Sequence, residues 1–254
     1  VFSKKRTMKR AIIIGATSGI GREVARLLAK DGWQIGIAGR REELLQSLQA
    51  EFPEGQVKTA VLDVTDTDAP TRLQSLIGEM GGMDLYFHSS GIGYQNATLD
   101  PDIEMRTART NGEGFVRMVT FAFNYFKSHA TKENPGHIAV ISSIAGTKGI
   151  GVAPAYSATK RFQNTYIQAL VQLAHMQHLN IHFTDIRPGF VATDLLRDVR
   201  YPLLMKVEPV AREIVRALKH RRRIRIIDWR YRILVFFWRL IPRPLWERLR
   251  VSNG

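Results

Sequence analysis

Tyr156 and Lys160 stand four residues apart, and Ser143 precedes the tyrosine by thirteen. On a helix, positions i and i+4 share one face, so a phenol and an ammonium lie together. Charge attraction from the lysine then favours phenolate and brings the tyrosine pKa toward the working range, which makes a general acid or base. The pair alone says little, because seven tyrosines and eleven lysines in 254 residues produce this spacing readily by chance. Ser142 offers no second route: no histidine or acid motif makes a nucleophile of it, and it reads as completing a strand. His175 and His178 lie at i, i+3 without a third ligand, so no metal is assigned. With no cysteine in the chain, disulfides, thiolate zinc sites and cysteine nucleophiles are excluded.

A second set of residues points to a nucleotide. Gly15-Ala16-Thr17-Ser18-Gly19-Ile20-Gly21 follows directly on an apolar run and opens a helical pattern. Glycines there allow tight dihedrals and let the backbone approach a pyrophosphate, which sits at the positive end of the helix. The spacing is G-x-x-x-G-x-G, and the alternative is a turn that merely joins strand to helix. Arg40 and Arg41 end the next apolar run, 25 positions after Gly15, with no acid before the following helix. A carboxylate at that place would bind the ribose 2′-hydroxyl of NAD, whereas an arginine suits a 2′-phosphate. NADP(H) is therefore favoured, NAD(H) stays open, and the other reading of Arg40 is a solvated surface charge.

The elements that must position these residues alternate along the chain. Short apolar runs at 10–14, 33–38, 57–62, 84–88, 137–142 and 180–186 suit strands of a parallel sheet buried on both faces. Between them, 20–30, 41–50, 68–79, 102–128 and 155–178 have helical length and amphipathic spacing. A helix at 209–219, opening on Pro209, leads to a seventh strand at 223–228. The alternation predicts one α/β domain, doubly wound, with about seven parallel strands and helices on both faces.

In combination, the glycine turn, Asn111, Ser143, Tyr156, Lys160 and Pro188-Gly189 resemble the short-chain dehydrogenase/reductase family in order and spacing. The resemblance covers residues 9–229 and leaves 230–254 as a basic amphipathic helical appendage. It implies a Rossmann-type sheet and hydride transfer between a nicotinamide and a carbonyl or alcohol. Carried over residue by residue, Tyr156 would be the general acid in reduction and Ser143 would hydrogen-bond the same substrate oxygen. Lys160 would hold the nicotinamide ribose and tune the tyrosine, and Asn111 would position a water linking the lysine to solvent. Asp63 and Val64, then Gly91, Pro188, Gly189, Val191 and Thr193, match the family's remaining cofactor contacts beside Gly15, Thr17, Ser18, Gly19, Ile20, Gly21 and Arg40. Two places depart from the pattern: the usual Thr before the first glycine is Ile14, and the usual Asn-Asn-Ala-Gly is His88-Ser89-Ser90-Gly91. Both changing together suggests a compensated rearrangement on the adenosine side.

The family's substrate pocket is closed by the segment after Pro188-Gly189. Phe190, Leu195, Val199 and their apolar neighbours to Met205, with Ile150, Val152 and Tyr94 across the space, suit a lipid-like carbonyl compound. These residues could equally seal a lid on the core. The alternatives carried are a cytosolic 3-oxoacyl-thioester reductase and a non-catalytic, membrane-docked dinucleotide-binding protein; a pure sensor has no need of the acid. A homodimer or homotetramer is expected through the helices near 102–128 and 155–178, where Phe115, Phe123, Tyr125, Phe162 and Tyr166 could be interface or core.

The net charge of +14 sits at the ends: residues 1–10 carry five bases and no acid, and 219–254 eleven bases against two acids. Residues 11–218 are neutral, with 21 of each sign, which argues against nucleic-acid binding. With neither a secretory pattern nor cysteines, the expected compartment is the cytoplasm. In 230–251, Ile233, Phe236, Phe237, Leu240 and Ile241 form one helical stripe among arginines, up to a stop at Pro242. The stripe would dock on an anionic membrane surface, making the protein peripherally membrane-associated, or pack on the domain or a partner subunit.

Overall fold

A computed structural model describes residues 9–194, 196 and 201–251. Seven strands form one fully parallel sheet: β1 (Arg10–Ile14), β2 (Gln34–Gly39), β3 (Val57–Val61), β4 (Leu85–His88), β5 (Gly136–Ile141), β6 (Ile181–Arg187) and β7 (Ile224–Ile226). Their order is β3-β2-β1-β4-β5-β6-β7. The apolar runs are strands because both faces are covered: Ala11, Ile12, Ile13 and Ile14 of β1 are at most 1% exposed.

One face packs against α1 (Gly19–Lys30), α2 (Glu42–Gln49) and α7 (Val207–Lys219), through Val24, Leu28, Leu45, Val210 and Ile214. The other packs against α3 (Ala69–Glu79), α5 (Phe115–His129) and α6 (Pro154–Met176), through Leu73, Ile77, Met118, Val119 and Ile167. Phe115 and Phe123 are buried in this second layer, at 0% and 4% exposure, so of the five aromatic interface candidates only Phe162 stands exposed.

The expected helix over 102–128 is three pieces: α4 (Pro101–Ala108), a π-helical turn (Arg109–Gly114) and α5. A π turn adds a residue without breaking the helical course, so the periodicity ran through it. The expected strand at 223–228 is only Ile224–Ile226. Beyond it come α8 (Trp229–Leu240) and α9 (Arg243–Trp246). Asp228, at φ 71°, caps α8 by accepting from the Arg230 N–H at 2.8 Å. Tyr231 and Val235 of α8 enter the same core as α1 and α7.

The chain reverses its winding direction between β1 and β4, which are neighbours in the sheet. Ligands of open α/β sheets bind in the crevice at the carboxyl ends of the strands at such a switch point. Both the glycine turn and the residues after β4 emerge there.

Candidate active site

The turn after β1 is shaped by close backbone approach. Gly15 has φ +86°, and a Cβ on it would sit 2.7 Å from the Ser90 nitrogen. A Cβ on Gly21 would run into the Gly15 carbonyl. Ser18 precedes α1 without a side-chain cap, which leaves the helix's first N–H groups for an anion. Its hydroxyl instead accepts from Arg41 Nη2, as does that of Thr17, both at 2.8 Å. Thr193 reaches across the cleft, its Cγ2 3.0 Å from where a Gly19 Cβ would lie. The uncapped helix end, glycine cradle and facing guanidinium fit a dinucleotide.

At the end of β2, Arg40 is 68% exposed at its side chain and pairs with Asp63 at 3.5 Å. Asp63 Oδ1 accepts from the Thr65 N–H and hydroxyl. Burial works to raise the Asp63 pKa, but Thr65 and Arg40 together hold it below the usual carboxylate range. Val64 turns its side chain into the core against Gly114. Arg41 rather than Arg40 touches the glycine turn.

Ser143 lies two residues past β5 and accepts from the Ala145 N–H at 3.1 Å. Its neighbour Ser142 is buried, its hydroxyl donating to Asp185, in keeping with a role in the strand. Tyr156 stands in the first turn of α6 and Lys160 one turn later, its Nζ 5.7 Å from the phenol ring centroid. Lys160 is 4% exposed and donates to the Ile141 carbonyl at 3.0 Å and to Gln163 Oε1 at 3.1 Å. Burial pushes its pKa down to about 8, partly offset by the negative Asp185. Burial raises the Tyr156 pKa, with partial relief from a hydrogen bond with Ser143.

Asn111 lies in the π turn and is buried. Its amide exchanges hydrogen bonds with the Ile92 backbone, accepting at 2.9 Å and donating at 2.7 Å. Its own carbonyl accepts from Gln163 Nε2 at 2.9 Å. The Gln163 amide thus bridges Lys160 and the Asn111 backbone carbonyl. Sequence reasoning missed Gln163, although its place three residues after Lys160 puts both on one helical face. It also missed Gly93, where a Cβ would lie 2.8 Å from the Tyr156 ring, and Glu104. Glu104 Oε2 accepts from the Ala155 N–H at 2.9 Å and so caps the helix that presents Tyr156. Gly91-Ile-Gly93 carried a visible glycine signal; Glu104 sat unmarked in an acidic helical turn.

The two departures from the family pattern lie side by side on β1 and at the end of β4. Ile14 is core, and its carbonyl accepts from the Ser89 N–H at 2.8 Å. His88 Nδ1 bonds the Tyr86 hydroxyl at 2.8 Å, and its ring stands edge-on to Phe115. Burial, with Lys160 nearby, pushes the His88 pKa down to about 3, so the ring is neutral.

Phe190 packs on Tyr201 with centroids 4.7 Å apart, and Ile150, Val152 and Tyr94 are half-buried. Val191 pairs with Met205 and both are buried, so their side chains belong to the core rather than to a pocket wall. The Pro188 carbonyl accepts from the Ile144 N–H at 3.1 Å, and Gly189 lies flat against the Tyr231 ring. Leu195 and Val199 lie outside the described residues.

A dinucleotide cradle at the switch point, beside a phenol, a lysine and a serine, defines a nicotinamide-dependent oxidoreductase. The family model described as short chain dehydrogenase matches residues 9–202, and the chain belongs to that family. An uncharacterized oxidoreductase of Myxococcus xanthus (strain DK1622) is 30% identical over 250 residues, covering 94% of this chain and 95% of that one. Dehydrogenase/reductase SDR family member 7B of Xenopus tropicalis is 30% identical over 195 residues, 72% of this chain. The match spans 61% of that relative's length. The fold is similar to that of a 3-ketoacyl-(acyl-carrier-protein) reductase from Brucella melitensis complexed with NADH. There the TM-score is 0.77 at 22% identity, over 87% of this chain and 96% of that one. An actinorhodin polyketide ketoreductase variant with NADPH gives 0.73 at 22% identity, covering 87% and 95%.

Proposed function

We propose that the protein is an NADP(H)-dependent carbonyl reductase acting on apolar, lipid-like ketones. The observation that carries this reading is Tyr156 and buried Lys160 on one face of α6, the Lys160 Nζ 5.7 Å from the phenol ring centroid, beside Ser143, with Phe190 packed on Tyr201 and Ile150 and Val152 half-buried. Bound NADPH would supply hydride to the carbonyl carbon. The residues of this chain do the rest. Ser143 donates to the carbonyl oxygen and fixes its position. Tyr156 O–H gives that oxygen its proton, and burial keeps the phenol charged with a proton until then. Lys160 holds the nicotinamide ribose and stands ready, as an ammonium, to stabilise the phenolate left behind. Gln163 and Asn111 keep the lysine amine aimed. Gly15, Thr17, Ser18, Gly19, Ile20 and Gly21 would cradle the pyrophosphate; Asp63 would meet the adenine and Thr193 the carboxamide region after Pro188-Gly189, with Val64, Gly91 and Val191 as further cofactor contacts. Arg40, which pairs with Asp63, and Arg41, which pairs with Asp194, would supply two guanidinium groups for the 2′-phosphate. A homodimer or homotetramer would form on the outer faces of α5 and α6, where Phe162 stacks on Tyr166.

The test has two arms. NADPH oxidation is followed against ketones and 3-oxoacyl thioesters of rising chain length, and kcat/KM is expected to climb with length. Separately, NADPH and NADH are titrated by fluorescence into wild type and Arg40→Asp. The variant should lose NADPH affinity while NADH binding stays level or improves. Tighter NADH binding by wild type would overturn the cofactor assignment, and indifference to chain length the substrate class.

A further inference from the structure

The helix α8 is apolar on two opposite sides, and only one of them is used by the fold. Tyr231 and Val235 are buried, with Leu234 and Trp238 half-buried beside them, and these seat the helix on the core. On the other side Trp229, Ile233, Phe236, Phe237 and Leu240 are 48–62% exposed. Their spacing of i, i+4, i+7, i+8 and i+11 aligns them in one stripe along the helix. They line a shallow groove with Arg232. Leu245 and Leu249 extend the exposed apolar surface past Pro242. Seven of the fourteen exposed large apolar residues among the described ones fall within 229–249, so the exposure is a patch and not scatter.

We propose that this face is a docking surface for an anionic lipid membrane. Charge selects the occupant. At the helical repeat, Arg232 and Arg239 flank the stripe on one side and Arg230 on the other. Arg230 pairs with Asp228 and Arg243 with Glu247. Arg232, Arg239, Arg248 and Arg250 are exposed and make no salt bridge among the described residues. Unneutralised arginines around an apolar stripe match acyl chains bordered by acidic headgroups. A second copy of the chain fits poorly, because a two-fold contact would press like-charged rims together. No described helix is long and apolar enough to cross a membrane. The twelve residues of α8 measure about 18 Å, so the helix would lie in the plane of the interface.

The helices α8 and α9 are fastened to the chain at residues 190 and 202–203 and at 148–149. Tyr231 O–H is shared between the Pro202 and Leu203 carbonyls at 3.1 Å each, while its oxygen accepts from the Phe190 N–H at 3.1 Å. Trp246 Nε1 donates to the Gly149 carbonyl at 2.7 Å, and Lys148 Nζ to that of Ile241 at 2.8 Å. Docking through α8 would therefore bring Phe190 and the 148–149 segment close to the bilayer. The surface itself goes beyond the reductase reading and stands without it.

The test is co-sedimentation of the full chain with phosphatidylcholine vesicles, with and without phosphatidylserine, at low and high salt. Two variants are compared, Phe236→Ser with Phe237→Ser, and Arg232→Gln with Arg239→Gln. All four positions are exposed, so melting temperature and dinucleotide affinity should match wild type. Wild type is expected to pellet with phosphatidylserine vesicles and to be released by salt, and each variant to bind at least about tenfold more weakly. Wild type staying in the supernatant at low salt, or variants pelleting like wild type, would overturn the proposal. So would a fall in molar mass in the Phe236→Ser, Phe237→Ser variant, which would give the face to a second copy. Failure of the reductase reading would show separately, as absent turnover with vesicle binding intact.

Discussion

Tyr156→Phe removes one oxygen while keeping the ring that packs against Gly93. Without the proton donor, kcat should fall by about two orders of magnitude or more, with NADPH affinity unchanged. Near-normal turnover in stopped-flow or steady-state assays would sink the assignment. Lys160 gives a prediction in pH, since burial holds its pKa to about 8. Below that value the ammonium is charged and can hold the ribose; above it the charge is lost. Dinucleotide affinity should thus weaken as pH rises through about 8 in wild type. In Lys160→Met it should be weak throughout and without that step. A flat wild-type profile would remove the lysine from cofactor binding. Tyr156, Lys160 and Ser143 were legible because their spacing is fixed by one helix and one strand end. Arg41 and Glu104 were not, because each acts across elements that are distant in sequence and adjacent only after folding. Gln163 lay between these cases: its position one helical turn past Lys160 was readable, but its second partner, the Asn111 carbonyl, was not.

Among the elements, α6 bears Tyr156 and Lys160, and α4 secures its first turn. Glu104 offers one carboxylate oxygen to Ala155 N–H and the other to Asn96 Nδ2, at 2.9 and 2.8 Å. A carboxylate there satisfies an orphan donor and complements the helix dipole. Glu104→Ala should cost about 1 kcal/mol of stability by analogy with lost caps. It should also lower kcat more than it raises the dinucleotide Kd, because the frayed turn is the one bearing Tyr156. Thermal unfolding and steady-state kinetics decide it; an unchanged melting temperature with unchanged kcat would dispose of the capping role. The strands were readable because burial on both faces leaves unbroken apolar runs such as Ala11–Ile14. The π turn at Arg109–Gly114 was not, since one added residue preserves the apolar stripe on either side. Its requirement emerges only in three dimensions, where a Cβ on Gly114 would press on Val64 Cγ2 at 2.8 Å.

Taken whole, the molecule shows where pattern stops deciding. The stripe in α8 was plain in the sequence, but a helix apolar on two sides does not declare which side meets the core. Tyr231 and Val235 took that place, and Ile233, Phe236, Phe237 and Leu240 were left outside. Phe115 and Phe123 went the opposite way, into the core. Burial also sets how the fold responds to acid. His88 and His137, on adjacent strands β4 and β5, are 1% and 8% exposed. Burial, aided by Lys160 for the first and chiefly His182 and Arg221 for the second, pushes both pKa values down to about 3. Unfolded histidine titrates near 6.5, so between about pH 6.5 and 3 the unfolded chain binds protons that the fold refuses. Their contribution is complete above about pH 6.5 and is lost as pH falls toward 3, at about 1.4 kcal/mol per pH unit for each ring. At about pH 5 the two together should cost roughly 4 kcal/mol, a large share of ordinary domain stability. Carboxylates titrate mostly below that pH, which leaves the histidines dominant in this window. Lys160 acts at the other end: its lowered pKa makes the unfolded chain bind more protons from about pH 8 to 10.4, so stability should rise across that range. Urea unfolding across the pH series should show the fall below pH 6.5 and the rise above 8. His137→Gln removes one titration and can still meet the Thr184 hydroxyl that His137 Nε2 bonds at 2.8 Å, so it should roughly halve the acid slope. Equal unfolding free energies at about pH 7 and about pH 5 in wild type would show that neither ring is held neutral by burial.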